Sequence, residues 1–207
     1  MARLPACPKL PDEPLRVCHL ISGDLWAGAE VQAATLMAEL ACRADLRVRA
    51  ILFNRGELGR RLERDGIPVT VLPESEIGLP GLVWRSRRVL SRERIELVHA
   101  HGHKEHLVGG LAARLAGVGA IVRTHHGKGM LNRGGVHRWV EAAGARWWTD
   151  RMIAVSAELG EFLPERLPCR RIGCSTSSCL GPRAWLFWLS SPGVRTSASE
   201  VWSSVPR

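Results

Sequence analysis

Short apolar runs alternate with segments of helical periodicity along the first three quarters of the chain. Six of these runs are apolar on both faces and predict buried strands, at residues 16–23, 48–53, 67–72, 96–100, 120–124 and 151–155. Between them, apolar residues spaced by three and four predict amphipathic helices. The segment 81–95, for example, sets Leu82, Val83, Val89 and Leu90 against five arginines. This alternation is typical of an α/β fold, and we expect a doubly wound, Rossmann-like parallel sheet covered by helices.

Local signals predict where several helices begin, end and pack. The first helix presents Ala33, Leu36, Met37 and Leu40 on one face, Gly66 and Gly117 are expected to end the helices before them, and Ser156 is expected to cap the helix after it. A later helix has a face formed by Val136, Trp139, Val140, Ala143 and Trp147. We expect that face to pack in the core.

The regular pattern ends after Leu163. The residues that follow are rich in serine, proline, cysteine and tryptophan and show neither strand nor helix period. We therefore divide the chain into an N-terminal extension (1–15), one domain (16–163) and an irregular tail (164–207) without a packed structure of its own. The tail is expected to be disordered or encoded out of frame, and in the second case another frame of the gene, from about codon 168, should encode a further Rossmann domain.

Composition narrows the class of protein. A chain of 207 residues with 45% hydrophobic content can bury one core. It has no apolar run of about 18 residues, the length of a membrane span, and its proline-rich start does not resemble a signal peptide, so we expect a cytoplasmic protein. The six cysteines form no Cys-x-x-Cys pair and are interpreted as structural thiols of a reducing compartment.

The formal net charge of +9 would suit nucleic acid or an anionic membrane. A basic and aromatic surface could combine five arginines of one helix with three tryptophans of another: Arg85, Arg87, Arg88, Arg92, Arg94, Trp139, Trp147 and Trp148. Such a surface predicts peripheral contact with the inner face of a membrane, although the shared face with Val136 favours core packing for Trp139 and Trp147. Nucleic-acid binding is not expected, because the arginines have no aromatic stacking platform beyond Trp84.

Three polar loops follow predicted strands, at 22–30, 99–106 and 124–129. In open α/β sheets, ligands bind outside the carboxyl ends of the strands, so these loops are the expected ligand site. Gly23 and Gly28 would let the backbone approach a ligand, and a helix starting near Ala29 would aim its N-terminus at a phosphate. For Gly28 an ordinary turn is an equally good interpretation.

The segment His-Ala-His-Gly-His-Lys-Glu-His at 99–106 raises the question of a metal site. His99 and His101 match the first pair of the His-x-His-x-Asp-His motif of metallo-β-lactamase-type hydrolases. His103 stands where that motif has aspartate, and Lys104, whose ammonium would repel a dication, where it has the next histidine. Zinc needs three or four convergent ligands, and only the alternating pair has useful geometry. We therefore predict no metal, and a metallohydrolase using His99 and His101 stays an alternative.

Four segments in order resemble the N-terminal domain of family 4 glycosyltransferases, which have the GT-B fold. They read RVCHLISGDLWAGAEVQAATLMAEL (16–40), LVHAHGHKEHLVGGLAARLAGV (97–118), IVRTHHG (121–127) and TDRMIAVSAEL (149–159). The family's Gly-Gly-x-Glu loop lies near the donor's phosphates; here it retains Gly28 and Glu30 but has Ala27 for the first glycine. The family's His-Gly implies His126 as the catalytic residue near the transferred sugar, with His125 as the competing assignment. His101, His125 and Lys128 would then belong to acceptor-side loops.

The resemblance implies retaining transfer of a sugar from a nucleotide donor to a sugar or lipid-linked acceptor, without metal or cofactor. The family's donor-side domain carries an Arg/Lys pair and a Glu-x7-Glu motif, and neither occurs in this sequence. The chain therefore resembles the single, acceptor-side half of a GT-B fold, and these 207 residues alone are expected to be inactive. A non-catalytic domain that binds a ligand or a partner is the alternative from another class.

Overall fold

The computed structural model describes residues 13–127, 136–167 and 172–174, in which strands and helices alternate. The strands are β1 (Leu15–Ile21), β2 (Leu46–Leu52), β3 (Val69–Val71), β4 (Leu97–Ala100), β5 (Ala120–His125), β6 (Arg151–Ala154) and β7 (Ile172–Cys174). The helices are α1 (Gly28–Ala41), α2 (Glu57–Arg64), α3 (Leu79–Arg92), α4 (His103–Ala116), α5 (Val136–Trp147) and α6 (Ala157–Arg166). Each of the six predicted strands corresponds to one of β1 to β6.

The strands form one parallel sheet in the order β3-β2-β1-β4-β5-β6-β7. The sheet grows from β1 first towards β3 and then, from β4 onward, in the opposite direction. The connections that leave β1 and β4 therefore diverge, which opens a crevice at the carboxyl ends of these two strands. The predicted doubly wound parallel sheet is confirmed.

Helices cover both faces of the sheet. Val17 and Ile21 of β1 pack in one apolar cluster with α1 and α2, whereas Cys18 and Leu20 face the opposite side and pack with α3 and α4. A third cluster joins α5, β6 and α6. Burial raises the pKa of the Cys18 thiol to about 12, so this thiol stays protonated in the core. Among the described helices, none is long and apolar enough to cross a bilayer.

Two elements extend beyond their predicted limits. Helix α4 begins at His103, so the second half of the segment 99–106 is its first turn and not a loop. Helix α6, capped by Ser156 as predicted, continues beyond Leu163 to Arg166 in spite of Pro164, and β7 then pairs with β6. Leu163 and Leu167 are both buried, one helical turn apart, and anchor this last part of α6. The rest of the predicted tail, residues 168–171 and 175–207, and residues 1–12 lie outside the described residues.

The prediction that Trp139 and Trp147 of α5 pack in the core is wrong. Trp139 and Trp147 are 69% and 62% exposed and contact each other edge to face, with ring centroids 6.2 Å apart. The buried face of α5 instead carries Glu141 and Ala145, and Trp148, just beyond the helix, packs against the core below α4. A buried ion pair on Glu141, described below, sets this orientation, which apolar periodicity does not reveal.

Candidate functional site

Polar side chains tie together the loops at the carboxyl edge of the sheet. The Asn54 amide, after β2, donates to Ser22 Oγ (3.1 Å) after β1 and to Glu74 Oε1 (2.9 Å) after β3. Lys104, in the first turn of α4, donates to the other oxygen of Glu74. These hydrogen bonds, that of Asn54 first, hold the pKa of Glu74 below its ordinary value. Lys104 therefore neutralises the charge of the Glu74 carboxylate, and together these hydrogen bonds hold the loops of this edge in one arrangement.

The two glycines predicted to admit a ligand have different roles. Gly23 has a φ of 79°, which favours glycine, and a Cβ on Gly56 would collide with the Gly23 carbonyl oxygen. Gly23 and Gly56 thus allow the loops after β1 and β2 to approach each other closely. A Cβ on Gly28, the first residue of α1, would meet nothing within 4 Å, so the space beside it is open.

The N-terminus of α1 opens onto this space. Its N-cap, Ala27, provides no side-chain hydrogen bond to the backbone N–H groups of the first turn, in which the buried Glu30 also lies. Helix N-termini attract anions because these N–H groups lack partners within the helix. Leu25 and Trp26, which precede the helix, are 63% and 46% exposed. An anionic group with an apolar or ring-shaped attachment would fit this combination.

Three buried histidines meet at the carboxyl ends of β1 and β4. The parallel register pairs His19 with His99, and His101 follows immediately after β4. His19 Nδ1 lies 2.9 Å from His101 Nε2, and His99 Nε2 lies 2.7 Å from Thr124 Oγ1 on β5. Burial lowers the pKa of His19 to about 3 and holds those of His99 and His101 well below the ordinary value. The three imidazoles are therefore neutral at physiological pH.

Strand alternation separates His125 from His126. Thr124 and His126 face the side of β5 that carries the three histidines, and the His126 ring stacks on that of His101 at 5.7 Å. His125, the buried last residue of β5, faces the other side, where its ring meets that of His103 edge-on at 6.2 Å. His126 is partly exposed, and burial lowers its pKa to about 4. Of the two histidines, His126 is the more exposed and the one that lies beside His101.

On the opposite side of β5, Arg123 is buried in a polar network. Its guanidinium pairs with Glu141 of α5 and donates to His106 Nδ1 (2.8 Å) on α4. His103 Nδ1, also on α4, lies 2.7 Å from both the guanidinium and Glu141 Oε1. His106 Nε2 lies 2.5 Å from Thr149 Oγ1, which donates to the Gly144 carbonyl at 2.9 Å. The network joins β5, α4 and α5 directly below the loop that carries His126.

Sequence reasoning missed several of these residues. His19 looked like one apolar-strand residue among others, and Arg123 lies in a strand that was expected to be apolar. Glu141 lies on a face of α5 that was not expected to be buried. A buried arginine in the run IVRTHH is a signal that could have been followed, because a buried charge needs a partner. Lys128, predicted on the basis of the family resemblance, lies outside the described residues.

Comparison with known proteins identifies relatives of this architecture. Over 85 residues the chain is 34% identical to the UDP-Gal:alpha-D-GlcNAc-diphosphoundecaprenol alpha-1,3-galactosyltransferase of Escherichia coli. The matched segment covers 39% of this chain and 22% of that protein. The structure is similar to Anabaena Alr3699/HepE solved in complex with UDP and glucose, with a TM-score of 0.64 and 21% identity over 77% of this chain and 44% of that chain. Acinetobacter baumannii MurG matches with a TM-score of 0.57 and 17% identity, covering 84% of this chain and 48% of that chain.

The chain thus spans less than half the length of each of these relatives. At their low identities the two solved structures establish the fold, which confirms the predicted half of a GT-B architecture. Residues 26–173, well over half of the chain, match Glycosyltransferase Family 4. That match begins at Trp26, near the end of the loop between β1 and α1, and runs into β7. It therefore includes the loops that follow the other strands up to β6. By this match, the chain belongs to glycosyltransferase family 4.

Proposed function

We propose that this domain forms the acceptor side of an enzyme that transfers a sugar from a nucleotide-sugar donor, with retention of configuration and without a metal ion in the chemical step. Family membership supports sugar transfer in general. The observation that carries the proposal is the shared edge at which the open N-terminus of α1 and His126 meet the crevice of the sheet. One end of that edge suits a diphosphate and the other a sugar.

His126 would act on the sugar as a neutral hydrogen-bonding group. With a pKa lowered to about 4 by burial, its imidazole carries no charge at pH 7 and offers one donor and one acceptor nitrogen. A neutral ring suits a sugar hydroxyl, since a positively charged ring would repel the positive charge that develops at the anomeric carbon. Stacking on His101 would hold its orientation.

The donor's phosphates would lie beside Gly28 and the first turn of α1. The helix dipole and the unpaired N–H groups favour a negative charge there. Glu30, in the same turn, would accept a hydrogen bond from a hydroxyl of the donor or orient the turn itself. The open space beside Gly28 leaves room for the approach.

For the acceptor we favour a sugar attached to a lipid through a diphosphate. Leu25 and Trp26 are exposed at the mouth of the crevice, where an indole ring can stack on a sugar or contact a prenyl chain. The name of the Escherichia coli relative states such an acceptor, N-acetylglucosamine on diphosphoundecaprenol. An acceptor of this kind would bring the protein to a membrane surface as a peripheral protein.

Substitution of His126 tests the catalytic role. In a two-domain relative that carries the same His-His-Gly sequence after its fifth strand, alanine at the position of His126 should lower turnover by about a hundredfold, the scale of a positioned polar group. Alanine at the position of His125, which faces the helices, is the matched control and should cost less than the first change. A loss below about threefold at His126 would contradict the role.

Binding to this chain tests the acceptor class. Calorimetric titration with a short-chain prenyl diphosphate carrying N-acetylglucosamine should show binding that Trp26→Ala weakens. Because a GT-B active site lies between two domains, the 207-residue chain by itself should release no product from any nucleotide sugar. Turnover by the pure chain would contradict the assignment of this domain to the acceptor side alone.

A further inference from the structure

The three histidines His19, His99 and His101 converge more closely than hydrogen bonding in the core requires. Each offers a ring nitrogen, and the three nitrogens lie within 4.8 Å of one another. His19 and His99 are paired in register on the adjacent strands β1 and β4. His101 directly follows β4, and its backbone N–H donates to the Leu20 carbonyl (3.0 Å). The sheet therefore holds all three rings in place before any ligand arrives.

These distances are close to those of a coordination sphere. With zinc–nitrogen bonds of about 2.0–2.1 Å, tetrahedral geometry separates two ligand nitrogens by about 3.3 Å. The His19–His101 separation of 2.9 Å lies just below that value and the outer limit of 4.8 Å lies above it. Metal binding would require rotations about the side-chain bonds that bring the three separations to this common value.

We propose that His19, His99 and His101 form a binding site for a divalent late first-row transition metal ion, of which Zn²⁺ is the representative. Three imidazole nitrogens are the donor set of zinc sites that keep a fourth position open. Imidazole favours Zn²⁺, Co²⁺, Ni²⁺ and Cu²⁺ over Mg²⁺ and Ca²⁺, which bind to oxygen. From the sequence, only His99 and His101 were expected to converge; His19 supplies the third ligand from β1, 80 residues before His99.

The surroundings fit a metal ligand set in a further respect. Histidines that bind metals usually use their second nitrogen in a hydrogen bond that fixes the ring, and Thr124 Oγ1 provides this contact to His99 at 2.7 Å. The His126 ring stacks on that of His101 and so lies next to the three histidines.

The inference does not rest on the proposed function, and the ion has no part in the proposed transfer step. Binding by the domain itself is measurable without activity.

The test uses the tag-free 207-residue chain, purified after chelation. Titration with Co²⁺ should give one intense ligand-field absorption band that saturates at one ion per chain, and Zn²⁺ should displace it. His19→Gln, His99→Gln and His101→Gln should each weaken the affinity by at least about tenfold, the smaller end of the effect seen even for residues outside the coordination sphere. His103→Gln, a histidine two residues from His101 that faces α5, is the matched control and should keep the affinity of the unchanged chain.

Absence of the Co²⁺ band in the unchanged chain, or equal affinity in His19→Gln, would overturn the proposal. If the glutamine variants do not fold, as judged by circular dichroism, X-ray absorption of the Zn²⁺-loaded unchanged chain decides. Three imidazole ligands at about 2.0–2.1 Å would support the site, and a sphere dominated by oxygen would show adventitious binding at the surface.

Discussion

His106 has only one arrangement of protons compatible with its neighbours. Arginine donates and never accepts, so the contact of 2.8 Å from Arg123 makes His106 Nδ1 an acceptor. The proton of the neutral ring is then on Nε2, which donates to Thr149 Oγ1 at 2.5 Å. Burial first, and the Arg123 charge next, hold the pKa of His106 well below its ordinary value. Protonation of Nδ1 would place two N–H groups against each other.

This arrangement predicts sensitivity to acid. Because the folded pKa of His106 is lowered, the unfolded chain binds more protons, and stability is complete above about pH 6.5 and falls as the pH drops below it. The slope is at most about 1.4 kcal/mol per pH unit for this residue. His106→Gln, whose amide can accept from Arg123 and donate to Thr149 without titrating, should show a shallower decline in free energy of unfolding between pH 6.5 and 5. Parallel curves for the two chains would contradict the prediction.

At the scale of elements, α4 and α5 pack against each other at two glycines, where there is no room for a side chain. A Cβ on Gly110 of α4 would overlap the indole ring of Trp148, and a Cβ on Gly144 of α5 would lie 2.7 Å from His106 Cε1. The two helices can therefore approach closely enough for the Arg123 network to form between them. Both glycines lie inside helices, where glycine costs about 0.5–1 kcal/mol relative to alanine, so close packing is the reason for their presence.

Gly110→Ala should consequently destabilise the domain although it improves helix propensity. We expect a net loss of about 1–3 kcal/mol, which lowers the melting temperature by several degrees. Gly28→Ala, where an added Cβ meets nothing, is the matched control and should not lower it. In a Trp148→Ala background the cost of Gly110→Ala should disappear; if it persists, the contact with the indole ring is not its cause.

At the scale of the whole molecule, exposed aromatic and basic residues gather on one side of the sheet. Trp84 of α3, Leu115 of α4, and Trp139 and Trp147 of α5 are all more than half exposed, and these three helices are neighbours. The Arg87 guanidinium lies over the Trp84 ring at 4.9 Å, and Arg85, Arg88, Arg92 and Arg94 are exposed on or just after α3. Trp139 and Trp147, which were expected in the core, are therefore available to this surface.

This surface predicts binding to anionic lipid. The chain should float with liposomes that contain phosphatidylglycerol at low salt, and binding should weaken as salt rises, because each arginine near the surface contributes about 1 kcal/mol through a screened interaction. Arg88→Glu with Arg92→Glu should abolish flotation. The control pair Arg60→Glu with Arg64→Glu lies on α2, which packs on the opposite face of the sheet. Equal loss in both pairs would attribute the effect to net charge, and no flotation at low salt would end the idea.

Much of the fold follows from periodicity in the sequence. Runs apolar on both faces predicted six strands, and the spacing of glycines and of Ser156 predicted helix ends, because these signals act over a few residues. The end of α6 was missed because Pro164 and a change of composition outweighed the Leu163–Leu167 spacing. The ligand edge could be predicted too, since the carboxyl ends of parallel strands all lie at one edge.

The sequence by itself therefore determined the elements, the α/β class and the edge at which polar loops meet. Only the tertiary structure decided which residues are neighbours there. His19 and His99 are 80 residues apart and meet because β4 pairs with β1, while the two sides of β5 separate His126 from His125 and give Arg123 its partner on α5. Local periodicity records whether a side chain is buried, whereas strand order and helix rotation depend on contacts between distant segments, which no single stretch of sequence contains.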